Sequence, residues 1–253
     1  PKQKLPAMKF SLKNGTKMEL IGRIDRVDKA EDEKSVYLRV IDYKSSEKDL
    51  NINEIYYGLA LQMLTYLDII LENSVTLIGK PADPAGVLYF HVHNPIINST
   101  KMLSMEDLEA ELLKKFKMNG LLLGDESVIK LMDHTLDSGD SHIISAGIKK
   151  DGTLSKRSKV TSKEDMNDLR RFVRSKYVET GNAIVDGAVE ISPYKMKDRT
   201  PCTFCSFKTV CQFDESMEGN RFRKLQVQPK ETILALIRGE EEEHEETDHT
   251  TEA

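Results

Sequence analysis

A chain of 253 residues, 39% of them hydrophobic, is long enough for one large domain or a domain with appendages, and it carries enough apolar side chain for a real core. No apolar run approaches the roughly 20 residues that a membrane-spanning helix needs, and no basic-then-apolar leader opens the sequence, so the expectation is a soluble cytoplasmic protein with no membrane partner. The net charge of −5 understates the basic character of the body: the segment from Gly239 onward holds eight acids and no Lys or Arg, and without it the remainder stands at +3.

Pro1 to Phe10 reads as the interior of a longer chain rather than a natural start. Strand-like sequence then flanks the polar run Glu31-Asp32-Glu33-Lys34-Ser35, which predicts a hairpin with Glu33 and Lys34 at its tip. Antiparallel register from that tip pairs Asp32 with Ser35 and, counting outward, Asp25 with Asp42. Directly opposed carboxylates destabilise a sheet, with Cβ atoms only about 5 Å apart, so this pair calls for a compensating cation. Lys44 lies two residues beyond Asp42 and projects from the same face of its strand.

Farther along, Ile55, Leu59, Gln62, Met63, Tyr66, Leu67 and Ile70 recur at three- and four-residue spacing, predicting a helix over 53–71 with Asn53 as its cap. The turn-rich stretch 79–86 leads into Val87 to His93, a near-continuous apolar strand of the kind buried on both faces at the centre of a mixed sheet. Glu106 to Lys117 reads as helix, 120–145 as a short helix and loops, and 149–159 as a polar, basic loop. A longer helix follows from about Ser162 to Thr180, carrying Arg170, Arg171, Arg174 and Lys176. There is no internal repeat and no Gly-x-x-x-x-Gly-Lys-Ser/Thr phosphate loop, which argues against a nucleotide-driven motor in this piece.

All three cysteines fall within ten positions, Cys202-x2-Cys205-x5-Cys211. An odd, tight set in a cytosolic protein suits one metal centre better than disulfides; zinc and an iron–sulfur cluster are both open, and either needs a fourth ligand. His91 and His93 share a strand face and are candidates for a zinc site, though such pairs more often serve packing. Lys208, Arg221, Arg223 and Lys224, interleaved with Phe204, Phe207, Phe213 and Phe222, read as a DNA-facing surface or as packing around the centre. The acidic run at 239–253 has the composition of a disordered, solvated tail.

Hydrolysis of a phosphodiester requires a deprotonated water near neutral pH and neutralisation of charge on phosphorus. Magnesium supplies both when two carboxylates hold it and leave positions open for water and substrate. Asp25 and Asp42 are the candidate metal ligands, helped by the backbone carbonyl of Tyr43, and Lys44 is placed to orient the water or stabilise the developing oxyanion. The competing reading is a surface salt-bridge cluster. Against it, Asp42 and Lys44 continue the buried strand of Val36, Leu38 and Val40, and a buried charge requires a partner or a metal. Gln62 and Tyr66, at i and i+4, share a helix face that can edge a cleft, or simply border the core.

These residues carry a resemblance. Gly22-Arg-Ile-Asp-Arg-Val-Asp28, Asp42-Tyr-Lys-Ser-Ser46 and Tyr57-Gly-Leu-Ala-Leu-Gln-Met-Leu-Thr-Tyr66, in that order, resemble the RecB-like branch of the PD-(D/E)xK nucleases. The nearer likeness, from about Met18 to Arg223, is to the C-terminal nuclease domains of the AddB subunits of bacterial AddAB helicase-nucleases. The resemblance implies an α/β restriction-endonuclease-like fold, a mixed central sheet flanked by helices with an Fe–S-stapled C-terminal segment. It implies that Asp25, Asp42 and Lys44 are metal and catalytic residues and that Gln62 and Tyr66 form the accessory motif. It further implies a [4Fe–4S] cluster on Cys202, Cys205 and Cys211 plus one cysteine upstream of the nuclease motifs, and an upstream histidine; neither of these last two has a match in residues 1–24.

The expected organisation is a nuclease core over 1–200 with a helical insertion at about 101–148, a cysteine-cluster segment over 201–238, and the tail. The expected function is that of a Mg2+-dependent DNA exonuclease, acting by resemblance on the 5′-ended strand in double-strand-break processing, beside an AddA-like helicase-nuclease partner. The alternative from another class is a non-catalytic DNA-binding or structural module stabilised by zinc or an Fe–S cluster.

Overall fold

Alternating and continuous apolar strands in the first 188 residues meet in one mixed sheet. The computed structural model of the protein describes residues 5–93 and 95–240 and divides into two compact units between Ala188 and Val189. In the first unit, strands β1 (Met8–Ser11) and β2 (Lys17–Leu20) form a separate antiparallel pair. The central sheet follows with β3 (Arg26–Glu31) and β4 (Val36–Lys44), joined by the hairpin that the polar run predicts. Asp32 builds the turn itself: its carboxylate accepts the backbone N–H groups of Lys34 and Ser35, both at 2.8 Å. Those two hydrogen bonds hold its carboxyl below the ordinary range. The ladder runs from Glu31 opposite Val36 to Arg26 opposite Ile41, which is the expected register and makes Asp25 and Asp42 the next opposed positions.

The segment expected as one helix from Asn53 is two. Asn51, not Asn53, caps α1 (Ile52–Tyr56), its side chain accepting the Asn53 N–H, and the chain then breaks at Gly58, whose φ of 78° lies in the left-handed region open to glycine. Helix α2 (Gln62–Glu72) begins afresh, so Gln62 stands in its first turn, and α3 (Ser74–Ile78) follows. Helix α2 buries Met63, Leu64, Leu67, Ile70 and Leu71, and packs on β4 and on β5 (Asp83–His91). Strand β5 is buried from Pro84 to Tyr89 and lies parallel to β4, at the centre of the sheet as its apolar run predicts, with a bulge opposite Leu38 and Arg39.

Helix α4 (Met105–Lys115) is capped by Ser104, whose Oγ accepts the Asp107 N–H. The stretch expected as a short helix and loops contains a sheet strand, β6 (Asn119–Leu123), antiparallel to β5, and then α5 (Glu126–Met132). Its Gly-Leu-Leu-Leu run is buried and too short to show a period, so spacing alone could not separate strand from helix. Short strands β7 (Gly139–Asp140) and β8 (Gly147–Ile148) pair with each other, and β9 (Val160–Thr161) closes the main sheet beside β6, giving the order β3-β4-β5-β6-β9. Ile41, Leu88 and Leu122 meet Ile129 of α5, Ile144 and Ile148 in one apolar cluster.

Helix α6 (Lys163–Val185), capped by Ser162, packs on α2. Its cations are structural. Arg170 and Arg174 both bind Asp68 of α2, which is 2% exposed; Arg174 also reaches Glu72, while Arg171 and Lys176 pair with Asp168 and Glu179 of their own helix.

In the second unit, β10 (Tyr194–Lys195) pairs in parallel with β11 (Arg223–Lys224). Between them lie a 3-10 turn over Pro201–Phe204 and α7 (Lys208–Cys211), and α8 (Lys230–Arg238) follows. Phe213 and Phe222 pack edge to face at 4.8 Å, whereas Phe204 and Phe207 are exposed. The expected disordered tail falls, from residue 241 onward, outside the described residues. Among the described residues no helix is long and apolar enough to cross a membrane.

Candidate active site

Strand β4 carries its charges out of the core. Period-two alternation places Leu38, Val40, Asp42 and Lys44 on one face. Leu38 and Val40 are buried, and Asp42 is still only 4% exposed. Lys44, partly exposed, forms an ion pair with the Oδ2 of Asp42. The ammonium makes no directed hydrogen bond to that oxygen, so the buried carboxylate is held by charge alone and can be shared with a metal ion.

Asp25 enters from the end of β3. Its Oδ2 accepts the backbone N–H of Tyr43 at 3.2 Å, which ties it to the residue between Asp42 and Lys44. Arg23 approaches its other oxygen at 3.9 Å but is almost fully solvated, so it contributes little. The structure therefore brings the two acids, the Tyr43 backbone and Lys44 to one corner of the sheet. Two carboxylates and a carbonyl are hard oxygen donors, few enough to leave positions for water and a phosphate, and that donor set fits magnesium. Among the described residues no group of three or more His, Cys, Asp or Glu side chains converges on one metal position.

Gln62 and Tyr66 are joined, the Gln62 Nε2 donating to the Tyr66 Oη at 3.0 Å. Gly22 links them to the strand segment: a Cβ there would stand 3.2 Å from Tyr66 Cε1 and 3.3 Å from its Oη. The ring thus lies against the backbone that leads to Asp25. Glycine at the head of the Gly-Arg-Ile-Asp motif is a matter of space.

Two residues at this corner carry no signal in the sequence. Tyr89 is opposite Asp42 in the parallel β4–β5 register, and the ammonium groups of Lys44 and Lys48 lie 5.9 and 5.8 Å from its ring centroid. Their proximity emerges only once β5 is registered against β4. His91, by contrast, meets the Ser45 carbonyl at 3.1 Å, which accounts for it as a turn-holding side chain.

Cys202, Cys205 and Cys211 are free thiols, the first partly buried and the others exposed. The 3-10 turn joins the first two, with Cys205 N–H donating to the Cys202 carbonyl at 3.5 Å, and the Cys211 N–H donates to the Phe207 carbonyl at 2.8 Å. Their soft donors suit an iron–sulfur centre, but three thiolates fall one short of the usual four, so the set fits a cluster only with a ligand from elsewhere.

A family model described as the PD-(D/E)XK nuclease superfamily matches residues 3–212. Members of this superfamily typically depend on a divalent metal. Among curated relatives, a protein of Bacillus licheniformis, named as a subunit of an ATP-dependent helicase/deoxyribonuclease, is 56% identical over 94% of this chain and 20% of its own length. Proteins of the same name from Bacillus subtilis and Bacillus cereus are each 54% identical, over 95% and 93% of this chain and 21% and 20% of their own. The chain spans about a fifth of the length of these relatives. With its mixed sheet, flanking helices and paired carboxylates at the end of β4, the chain belongs to the PD-(D/E)XK nuclease superfamily.

Proposed function

We propose that this chain is the catalytic part of a magnesium-dependent deoxyribonuclease that hydrolyses DNA phosphodiesters exonucleolytically, on the 5′-ended strand, within a helicase-nuclease complex that processes broken DNA ends. The relatives' name supports the helicase and deoxyribonuclease association, and an AddA-like protein is the partner this reading requires. The observation that carries the reaction is the convergence of the buried Asp42 carboxylate, the Lys44 ammonium paired with it, and Asp25, which accepts the backbone N–H of the intervening Tyr43.

Asp25, Asp42 and the Tyr43 carbonyl would hold the magnesium. When bound, it neutralises charge on the phosphodiester and lowers the pKa of an attacking water. Lys44, drawn to Asp42 at one side, directs its remaining N–H donors at that water or at a phosphoryl oxygen. Tyr66 accepts from Gln62 and so keeps its own O–H to donate toward the substrate backbone. Water's oxygen forms the new bond to phosphorus and gives its proton to solvent, while the bond from phosphorus to the bridging oxygen breaks and that oxygen takes a proton from solvent and leaves as the alcohol.

The same reading assigns Cys202, Cys205 and Cys211 to an Fe–S cluster completed by a fourth cysteine outside this segment, and no step of hydrolysis depends on it. Iron and acid-labile sulfide in the purified protein, with visible absorption lost on Cys205→Ser, are the expected results; zinc in their place would favour the structural alternative. For the reaction, Asp42→Ala should abolish magnesium-dependent release of nucleotides from linear DNA. Undiminished cleavage by that variant would sink the assignment.

A further inference from the structure

The lysine that follows the motif, Lys48, stands in a setting that a solvated surface lysine does not need. Tyr89 is 6% exposed and occupies the face of the sheet next to Asp42. That burial holds the ring as a fixed surface. Over it lie two ammonium groups, from Lys44 and Lys48, at nearly equal distance from the centroid. An aromatic face attracts a cation without neutralising it.

The two lysines differ in what else they touch. Lys44 is claimed by Asp42. Lys48 is exposed and, among the described residues, has no carboxylate within ion-pair distance. The acid beside it in sequence, Asp49, is taken by Lys159 at 2.5 Å, in a bond that ties the loop after β4 to the residue preceding β9. A full positive charge is therefore held at the edge of the carboxylate corner with its partner elsewhere.

We propose that Lys48 is a substrate ligand that binds the backbone phosphate next to the scissile one, and that Tyr89 is the positioning residue that sets Lys48 and Lys44 on one ring so that consecutive phosphates are engaged together. This rests on the nuclease reading above. The recognised chemistry is the repeating charge of a single nucleic-acid strand, with no base readout.

The test is cleavage of single-stranded oligothymidylate by the full-length protein, across a salt series. Lys48→Gln should raise KM roughly tenfold, as expected for one lost charge-assisted contact, with kcat within about twofold. It should also reduce the slope of log kcat/KM against log salt by about 0.7, the value of one single-strand phosphate contact. Lys48→Arg should restore the slope. Tyr89→Phe, which keeps the ring, should behave as the parent, whereas Tyr89→Leu should lose the Lys48 salt component and lower kcat as well. A Lys48→Gln variant with unchanged KM and unchanged salt slope overturns the inference, provided Asp42→Ala is dead. Were Asp42→Ala also fully active, it is the nuclease reading that fails.

Discussion

Gly22→Ala isolates the contact between the strand segment and the accessory pair. Gly22 does not use a positive φ, so alanine is allowed by the backbone, and the substitution tests space alone. The new methyl group would sit 3.2 Å from Tyr66 Cε1, 3.3 Å from Oη and 3.7 Å from Cζ, where carbon atoms pack at about 3.5–4.0 Å. The ring must therefore retreat by a few tenths of an ångström, which stretches the 3.0 Å bond from Gln62 toward the limit for a hydrogen bond. Thermodynamically the terms nearly cancel. Reduced freedom of the unfolded chain stabilises by about 0.4–1 kcal/mol, and a weakened, solvent-accessible hydrogen bond costs about 0.5–1.5 kcal/mol. The melting temperature should move by no more than about 4 °C, since 1 kcal/mol is worth roughly 2–4 °C in a domain of this size. Activity has no such compensation. A 1 Å displacement of a positioning group can cost about 100-fold, so a shift of a few tenths should lower kcat by roughly threefold to tenfold. Calorimetry and steady-state cleavage measure the two halves separately. The decisive control is a cycle with Tyr66→Ala, which removes the ring: Gly22→Ala should then add nothing. Equal losses with and without the Tyr66 ring would refute the argument.

Asp68→Ala leaves the guanidinium groups of Arg170 and Arg174 facing a site that was 2% exposed, a loss of about 3–5 kcal/mol discounted toward the lower figure because Arg174 is partly solvated; urea unfolding should show it. Asp133 is buried, which alone would raise its pKa, but hydrogen bonds from the Ser141 and Thr135 hydroxyls outweigh burial and hold the carboxyl below its ordinary range. Its stabilising contribution is present above the unfolded-state value of about 3.9 and is lost as pH falls through the lower folded value, so Asp133→Asn should flatten the acid limb of stability below about pH 4 in a urea series. Asp42→Asn removes the carboxylate that pairs with Lys44, and because the ammonium left behind is partly solvated the metal-free protein should lose only up to about 2 kcal/mol. The rise in melting temperature that magnesium confers on the parent should vanish in this variant.

The hairpin register was legible because two independent signals coincide in it. Asp32 caps its own turn with two backbone hydrogen bonds, and a slip of one residue would exchange the two faces of β4, putting Asp42 on the side where Ile41 packs into the core. Once that register is set, Asp25 and Asp42 are neighbours by counting. The helix after it was legible in kind but not in extent. The apolar period runs through Gly58 without interruption, so periodicity could not register that the chain turns there, and the cap fell two residues from where the pattern placed it. Strand β6 hid for the opposite reason, since five residues with four of them buried carry no period at all. Tyr89 and Lys48 were illegible on principle. Their meaning depends on which strand lies beside β4, and parallel neighbours are joined through a crossover whose length says nothing about register.

Burial along β4 explains why the chemistry sits where it does. A strand buried to Val40 and emerging at Tyr43 has one position, Asp42, where a charge is dry enough to be strongly felt and near enough to solvent to be reached. One residue earlier in the face the charge would be sealed among Leu38 and Val40; one later it would be screened by water, as Lys44 partly is. The opposed strand supplies Asp25 at the matching height, and the parallel strand supplies a neutral ring. Lys44 pairs with Asp42 while its ammonium also lies over Tyr89. The buried carboxylate and its ammonium are thus a product of the register of three strands. A sequence selected only for stability would replace Asp42 with an apolar residue that continues Val40, whereas a site that must accept a cation and a phosphate keeps the charge.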